Sequence, residues 1–188
     1  DVAAPTTLRT SEYASFETAW EAFGAGLDRP LPHAAAIAFA GPSSSDVLQM
    51  TNNHWVIPRA QIQERLHLER LVVVNDFAAV GHAVAQAQPE ELLHLCGPEI
   101  ALPASGTICV VGPGTGLGVA HILRVDSGYH ICSTEGGHMD FAPLDSFEDA
   151  LLGHLRTQFR RVSVERVVSG PGLGRIYDAL ARVEARAV

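Results

Sequence analysis

The sequence predicts an α/β protein, and three observations carry that prediction. Short apolar, β-branched runs recur, among them Leu71-Val72-Val73-Val74 and residues 107–111. Between them lie segments whose apolar residues fall at helical spacing. Turn formers such as Gly41-Pro42-Ser43-Ser44 and Asp126-Ser127-Gly128 punctuate the joins. Alternating strands and helices imply an α/β fold, with strands partly in mixed sheets.

Taken in order, Ser15 stands where a helix N-cap belongs, and Phe16, Trp20, Phe23 and Leu27 share one face behind it. Pro30 and Pro32 end that region. Strands over 34–40 and 47–51 flank the turn at Gly41-Pro42-Ser43-Ser44. A short helix over 58–66 leads into the run at Leu71, expected as a buried parallel strand, and a helix over 77–86 follows. The stretch 86–103 is looser and carries Pro89 and Pro98. A domain boundary is placed at its start, dividing the chain into 1–86 and 87–188.

Residues 107–111 read as a second buried strand. Strands over 119–125 and 129–133 form a hairpin around Asp126-Ser127-Gly128. Ser146-Phe147-Glu148-Asp149 has the form of a capping box, opening a helix with Phe147, Leu151, Leu155 and Phe159 on one side. A last helix runs from about Leu173, with Ile176, Tyr177, Leu180 and Val183 at helical spacing. It reaches Ala187-Val188 without a clear cap, as a cut chain would.

Composition excludes several classes. Of 188 residues, 47% are hydrophobic and 18% charged, with neither an export signal nor an apolar run long enough to cross a bilayer. The expectation is a soluble cytoplasmic protein. A formal charge of −8, from 13 Lys+Arg against 21 Asp+Glu, argues against nucleic acid or an anionic membrane as partner. Cys96, Cys109 and Cys132 form no CxxC pair, so neither a zinc knuckle nor a disulfide frame is expected. They read as small buried hydrophobes in a reducing compartment.

Four motifs carry chemistry. Asn75-Asp76-Phe77 follows an apolar strand, and ligands of open α/β sheets gather at the carboxyl ends of strands. A carboxylate there can accept a proton from a hydroxyl, while Asn-Asp after a strand is also an ordinary helix N-cap. Gly112-Pro113-Gly114-Thr115-Gly116-Leu117-Gly118 lets backbone N–H groups converge on an anion, or simply makes a tight hairpin. It lacks the Gly-Lys-[Ser/Thr] of a Walker A loop and does not open a helix. Thr134-Glu135-Gly136-Gly137-His138 sets a carboxylate and an imidazole around a close-approaching backbone, both able to bond ligand hydroxyls, although by itself it reads more readily as a Gly-rich turn with a surface Glu and His. Gly-Gly is a poor helix interior, which disfavours a metal-binding Glu-x-x-His helix, and no metal-ligating residue is assigned. Glu165, in Ser163-Val164-Glu165-Arg166, reads by itself as a first-turn glutamate favoured by the helix dipole.

In this order, with E-G-G-H-M-D-F-A-P and E-R-V-V-S-G-P-G-L around the last two motifs, the series resembles the bacterial glucokinase family of the hexokinase/actin-like ATPase superfamily. The similarity extends upstream through Ala36-Ile37-Ala38 and Thr51-Asn52-Asn53-His54-Trp55. The resemblance implies a two-domain actin-like ATPase (ribonuclease H-like) fold, with the sugar site in the interdomain cleft. Residues 1–86 would form the small α/β domain, lacking its first phosphate-loop hairpin, and 87–188 part of the large one. It implies phosphorylation of glucose to glucose 6-phosphate by ATP with Mg²⁺, with Asp76 as general base. Asn75, Asp76, Glu135, His138 and Glu165 would bind the sugar, and Gly112, Gly114, Thr115 and Gly116 the nucleotide phosphates. A homodimer is compatible with it.

The family's first phosphate motif, Asp-x-Gly-Gly-Thr-Asn or similar, has no counterpart beyond Asp1-Val2. Its Gly-Gly adenosine motif is missing too, so the chain reads as incomplete. Three rivals stand beside this reading: a kinase of another hexose, a repressor/kinase sugar kinase, and a catalytically silent sugar sensor. The repressor/kinase family usually carries a cysteine-rich zinc motif after Glu-x-x-His, absent after His138. An intact Asp76 argues against the sensor.

Overall fold

In the computed structural model, which describes residues 4–41, 46–49 and 55–186, Ser15 caps α1 (Phe16–Ala25). Its hydroxyl accepts the Thr18 N–H at 3.3 Å, and the Thr18 hydroxyl accepts the Ser15 N–H at 3.1 Å. Phe16, Trp20 and Phe23 form a ladder of ring contacts along that helix, and Trp55 meets Phe16 edge-on. The chain divides into two compact units, 1–79 and 80–188, the division falling inside a helix. The sequence placed a boundary at 86/87.

In the first unit, β1 (Ala34–Phe39) pairs in parallel with β4 (Arg70–Asn75), in a register that sets Phe39 opposite Asn75. The antiparallel pair β2 (Val47–Gln49) and β3 (Val56–Pro58) makes a second small sheet. Helix α2 (Arg59–Arg65) precedes β4. Ala19, Phe39, Leu48, Trp55, Ile57, Ile62, Leu66 and Leu68 form the core. The Trp55 indole donates to the Tyr13 carbonyl at 3.1 Å, whereas the buried Trp20 Nε1 finds no partner. Helix α3 (Asp76–Gln86) starts directly where β4 ends.

The second unit is built on an antiparallel meander of β5 (Gly106–Pro113), β6 (Leu117–Val125) and β7 (Gly128–Thr134). One face of it carries the buried Val110, Ala120 and Ile122. Helices α4 (Ser146–Arg156), α5 (Val164–Val167) and α6 (Gly170–Arg186) enclose Leu151, Leu152, Leu155, Val162, Val167 and Ala179. Phe159 packs under two guanidinium groups, those of Arg166 and Arg175.

Several expectations need correction. Among the described residues each sheet is purely parallel or purely antiparallel, so none is mixed. The two apolar strands are only half buried: Val72 on β4 and Val111 on β5 are exposed, because side chains alternate across a strand and only one face of each is packed. Cys96, Cys109 and Cys132 are exposed rather than buried. Cys109 and Cys132 flank His121 in one cross-strand row, on the face opposite Val110, Ala120 and Ile122.

The cap of α4 is Asp145, one residue before the expected Ser146. Both can cap, but the extended Asp145 receives the Glu148 N–H at 2.9 Å, and Glu148 reaches back to the Leu144 N–H. Helix α6 begins at Gly170, not near Leu173. Buried Ser169 accepts the Gly172 N–H at 3.1 Å, and Pro171 fits a first turn whose N–H groups have no helical partner. Asp1-Val2, Pro42-Ser43-Ser44, 50–54 and Ala187-Val188 lie outside the described residues.

Candidate functional site

The glycine-rich segment turns β5 into β6. Gly112 pairs with Gly118 and Pro113 with Leu117, leaving Gly114-Thr115-Gly116 as the turn. The Gly114 N–H is spent within it, on the Gly116 carbonyl at 2.8 Å. The Gly114 carbonyl accepts the Gly170 N–H at 2.8 Å, which fastens the turn to the start of α6. The Leu117 N–H goes to Glu165 Oε2 at 3.0 Å. The N–H groups of Thr115 and Gly116 remain for an anion, and the exposed Thr115 hydroxyl stands beside them.

Glu165 occupies the first turn of α5, as its sequence suggests, but its carboxylate is committed to the hairpin turn. A Cβ on Gly116 would stand 2.5 Å from Glu165 Oε2, so glycine is what lets the carboxylate approach. One carboxylate oxygen is thus engaged and the other is open to a ligand.

Glu135-Gly136-Gly137-His138 forms a single 3-10 turn (Gly136–His138) after β7. A Cβ on the buried Gly137 would collide with the Leu117 carbonyl. Leu117 is therefore a hub: its N–H holds Glu165, and its carbonyl lies against the Glu-Gly-Gly-His turn. The Glu135 and His138 side chains lie 82% and 58% exposed, with Oε2 and Nε2 3.5 Å apart.

The strip after that turn is stitched to the approach to α5. Phe141 N–H donates to the Val162 carbonyl at 3.0 Å and Val164 N–H to the Met139 carbonyl at 2.8 Å, around an Asp140–Ser163 bridge. Arg161 donates to the Asp140 carboxylate through Nε and to the His138 carbonyl through Nη2 at 3.0 Å. Sequence reasoning missed Arg161 and the role of the Leu117 backbone. The only signal in the sequence for the former is Asp140 inside the E-G-G-H-M-D motif.

Asn75 and Asp76 form a group of their own in the first unit. Asn75 Oδ1 accepts the N–H groups of Phe77 and Ala78 at 3.0 and 3.1 Å, capping α3, and Nδ2 donates to the Gly41 carbonyl at 3.2 Å. Its second amide hydrogen is left for a ligand. Asp76 is exposed at the helix start, and Oδ1 accepts the Phe77 N–H at 2.9 Å. Among the described residues no group of three or more His, Cys, Asp or Glu side chains could hold a metal ion, and no helix is long and apolar enough to cross a membrane.

Comparison with known proteins gives these features a class. The structure matches a solved glucokinase from an Antarctic psychrotroph with a TM-score of 0.77 at 29% identity, over 96% of this chain and 55% of that one. A Balamuthia mandrillaris glucokinase solved in complex with glucose matches with a TM-score of 0.62 at 25% identity, over 77% of this chain and 46% of that one. The mixed α/β fold is thus one shared with sugar kinases. A glucokinase of Zymomonas mobilis is 57% identical over 179 residues, 95% of this chain and 55% of the relative, and the family model described as Glucokinase matches residues 2–188. The chain belongs to the glucokinase family. It spans about half the length of the curated relatives it matches.

Proposed function

We propose that this chain supplies the sugar-binding residues and one phosphate turn of an ATP-dependent glucokinase. The observation that carries the reading is the Leu117 hub. The turn expected to hold phosphate and both segments expected to hold sugar hydroxyls in this unit meet at that single residue.

In this proposal Glu135, His138 and Glu165 bond sugar hydroxyls, with Asn75 adding its remaining amide hydrogen. Asp76 accepts the proton of the sugar 6-hydroxyl as that hydroxyl's oxygen bonds the γ-phosphorus and the bond from the γ-phosphorus to the ADP oxygen breaks. The phosphates lie against Gly112, Gly114, Thr115 and Gly116, where the free N–H groups of Thr115 and Gly116 offset developing charge. Mg²⁺ commonly enters such sites on the nucleotide phosphates, with few protein ligands, and supplies charge neutralisation there. The two-domain actin-like architecture, with 1–86 in the small domain and 87–188 in the large one, a cytoplasmic location and a homodimer belong to the same reading.

A coupled assay of glucose 6-phosphate formation by the full-length protein tests it, with hexoses and phosphoryl donors each varied. ATP-dependent turnover with glucose as the preferred sugar is expected. No turnover, or a clear preference for another hexose or for a polyphosphate donor, would overturn it.

A further inference from the structure

The turn that carries Glu135 and His138 has little side-chain packing to orient it. Both of those side chains are largely exposed, and the two residues between them are glycines. Their direction is therefore set by the backbone. That backbone is anchored before His138 by the close approach of Gly137 to the Leu117 carbonyl, and after it by the bond from Val164 N–H to the Met139 carbonyl. Between these anchors lies the carbonyl of His138 itself, and Arg161 Nη2 holds it at 3.0 Å.

We propose that Arg161 is a positioning residue for sugar recognition, fixing the His138 peptide through a two-pronged contact with that carbonyl and the Asp140 carboxylate. The inference rests on the proposed sugar-binding role of Glu135 and His138. Nε and Nη2 lie on one edge of a planar guanidinium, so one rigid group spans two acceptors two residues apart in the chain. Asp140 keeps the guanidinium on that edge, and the charge strengthens the bond to the carbonyl. The contact also ties the turn to the residues that lead into Glu165, because Arg161 lies four positions before it. A lysine would offer a point charge on a flexible stem and could not span both acceptors in a fixed geometry.

Arg161→Ala, Arg161→Lys and Asp140→Asn in the full-length protein test this, each assayed for glucose KM, ATP KM, kcat, calorimetric glucose affinity and melting temperature. For Arg161→Ala, glucose KM and Kd are expected to rise roughly fivefold, the scale of a partly exposed charge-assisted contact. The kcat and the ATP KM should stay within about twofold. Arg161→Lys should recover only part of the loss, and Asp140→Asn, which keeps an acceptor, should fall between wild type and Arg161→Ala. A role confined to stability would lower the melting temperature and leave both KM values unmoved, and that outcome refutes the proposal. Equal rises in both KM values would refute it as well. A wild-type protein that neither binds nor phosphorylates glucose overturns the underlying reading, whereas an active wild type with an unaltered Arg161→Ala overturns the role of Arg161 alone.

Discussion

The carboxylate of Glu165 accepts the backbone N–H of Leu117 at 3.0 Å across 48 positions of sequence. A residue proposed to hold sugar thereby also holds the turn proposed to receive phosphate. Replacing it by alanine leaves that N–H unpaired, at about 1–3 kcal/mol, whereas glutamine keeps an acceptor of the same reach. Glu165→Ala is therefore expected to lower the unfolding free energy and to raise the KM of both ATP and glucose. Glu165→Gln should raise mainly the glucose KM. Identical urea midpoints and ATP KM values for the two variants would show that the carboxylate does not support the turn.

Asp76→Asn isolates basicity from structure. The Asp76 carboxylate accepts the Phe77 N–H at 2.9 Å at the head of α3, and an asparagine oxygen can do the same. The fold should be undisturbed while kcat falls by roughly 10²-fold or more, the usual scale for loss of a general base. Turnover near that of wild type would remove Asp76 from the mechanism.

Gly137→Ala sets a methyl group against the carbonyl of Leu117, which is main chain and cannot swing aside. The turn must shift, at about 1–3 kcal/mol, the common cost of overpacking. Urea unfolding reads the loss, and glucose affinity should fall with it because Glu135 and His138, the proposed sugar ligands, ride on the same turn. An alanine variant as stable and as tight-binding as the parent would contradict the packing described.

Acid stability should depend on Glu17. Partial burial pushes its carboxyl up, but its own backbone N–H, Ser15 and Arg65, whose Nη1 lies 3.0 Å away, outweigh that and hold it below the ordinary value of 4.5. A group held low when folded binds fewer protons in the folded state. Its stabilisation is complete above the ordinary value and is lost as pH falls through the lower folded one. Glu17→Gln should flatten the loss of stability below about pH 4.5 by up to ~1 kcal/mol, the ceiling for an exposed pair. An unchanged acid limb in the melting temperature would count against it.

Local patterns carried most of the fold. The cap at Ser15, the aromatic face of α1, the β6–β7 hairpin and the join of β4 to α3 all follow from neighbours in sequence. The failures have local causes of their own. Asp145 and Ser146 both suit an N-cap, and only the bond from Glu148 N–H decides between them. Gly170-Pro171-Gly172 looks like a helix breaker until buried Ser169 is seen to cap it. A strand's sequence does not disclose which of its faces is packed, so the exposure of Cys109 and Cys132 is not legible in it. At the site, Asn75 shows the helix-capping alternative at work, with both ends of its amide engaged. The contacts of Glu165 with Leu117 and of Arg161 with His138 join residues 48 and 23 positions apart, and no periodicity encodes such pairings.

The cross-strand row of Cys109, His121 and Cys132 makes the outer face of the β5–β6–β7 sheet chemically readable. Two strand spacings separate the cysteines, roughly 10 Å, well beyond the reach of a disulfide, so oxidation cannot bridge them within one sheet. Each thiol instead answers a maleimide on its own, one from the first strand of the meander and one from the last. Alkylation rates at the two positions therefore form a footprint of whatever lies over that face. Rapid labelling of both marks it as bare, protection of both marks it as covered, and protection of one alone locates the edge of the cover to within a strand.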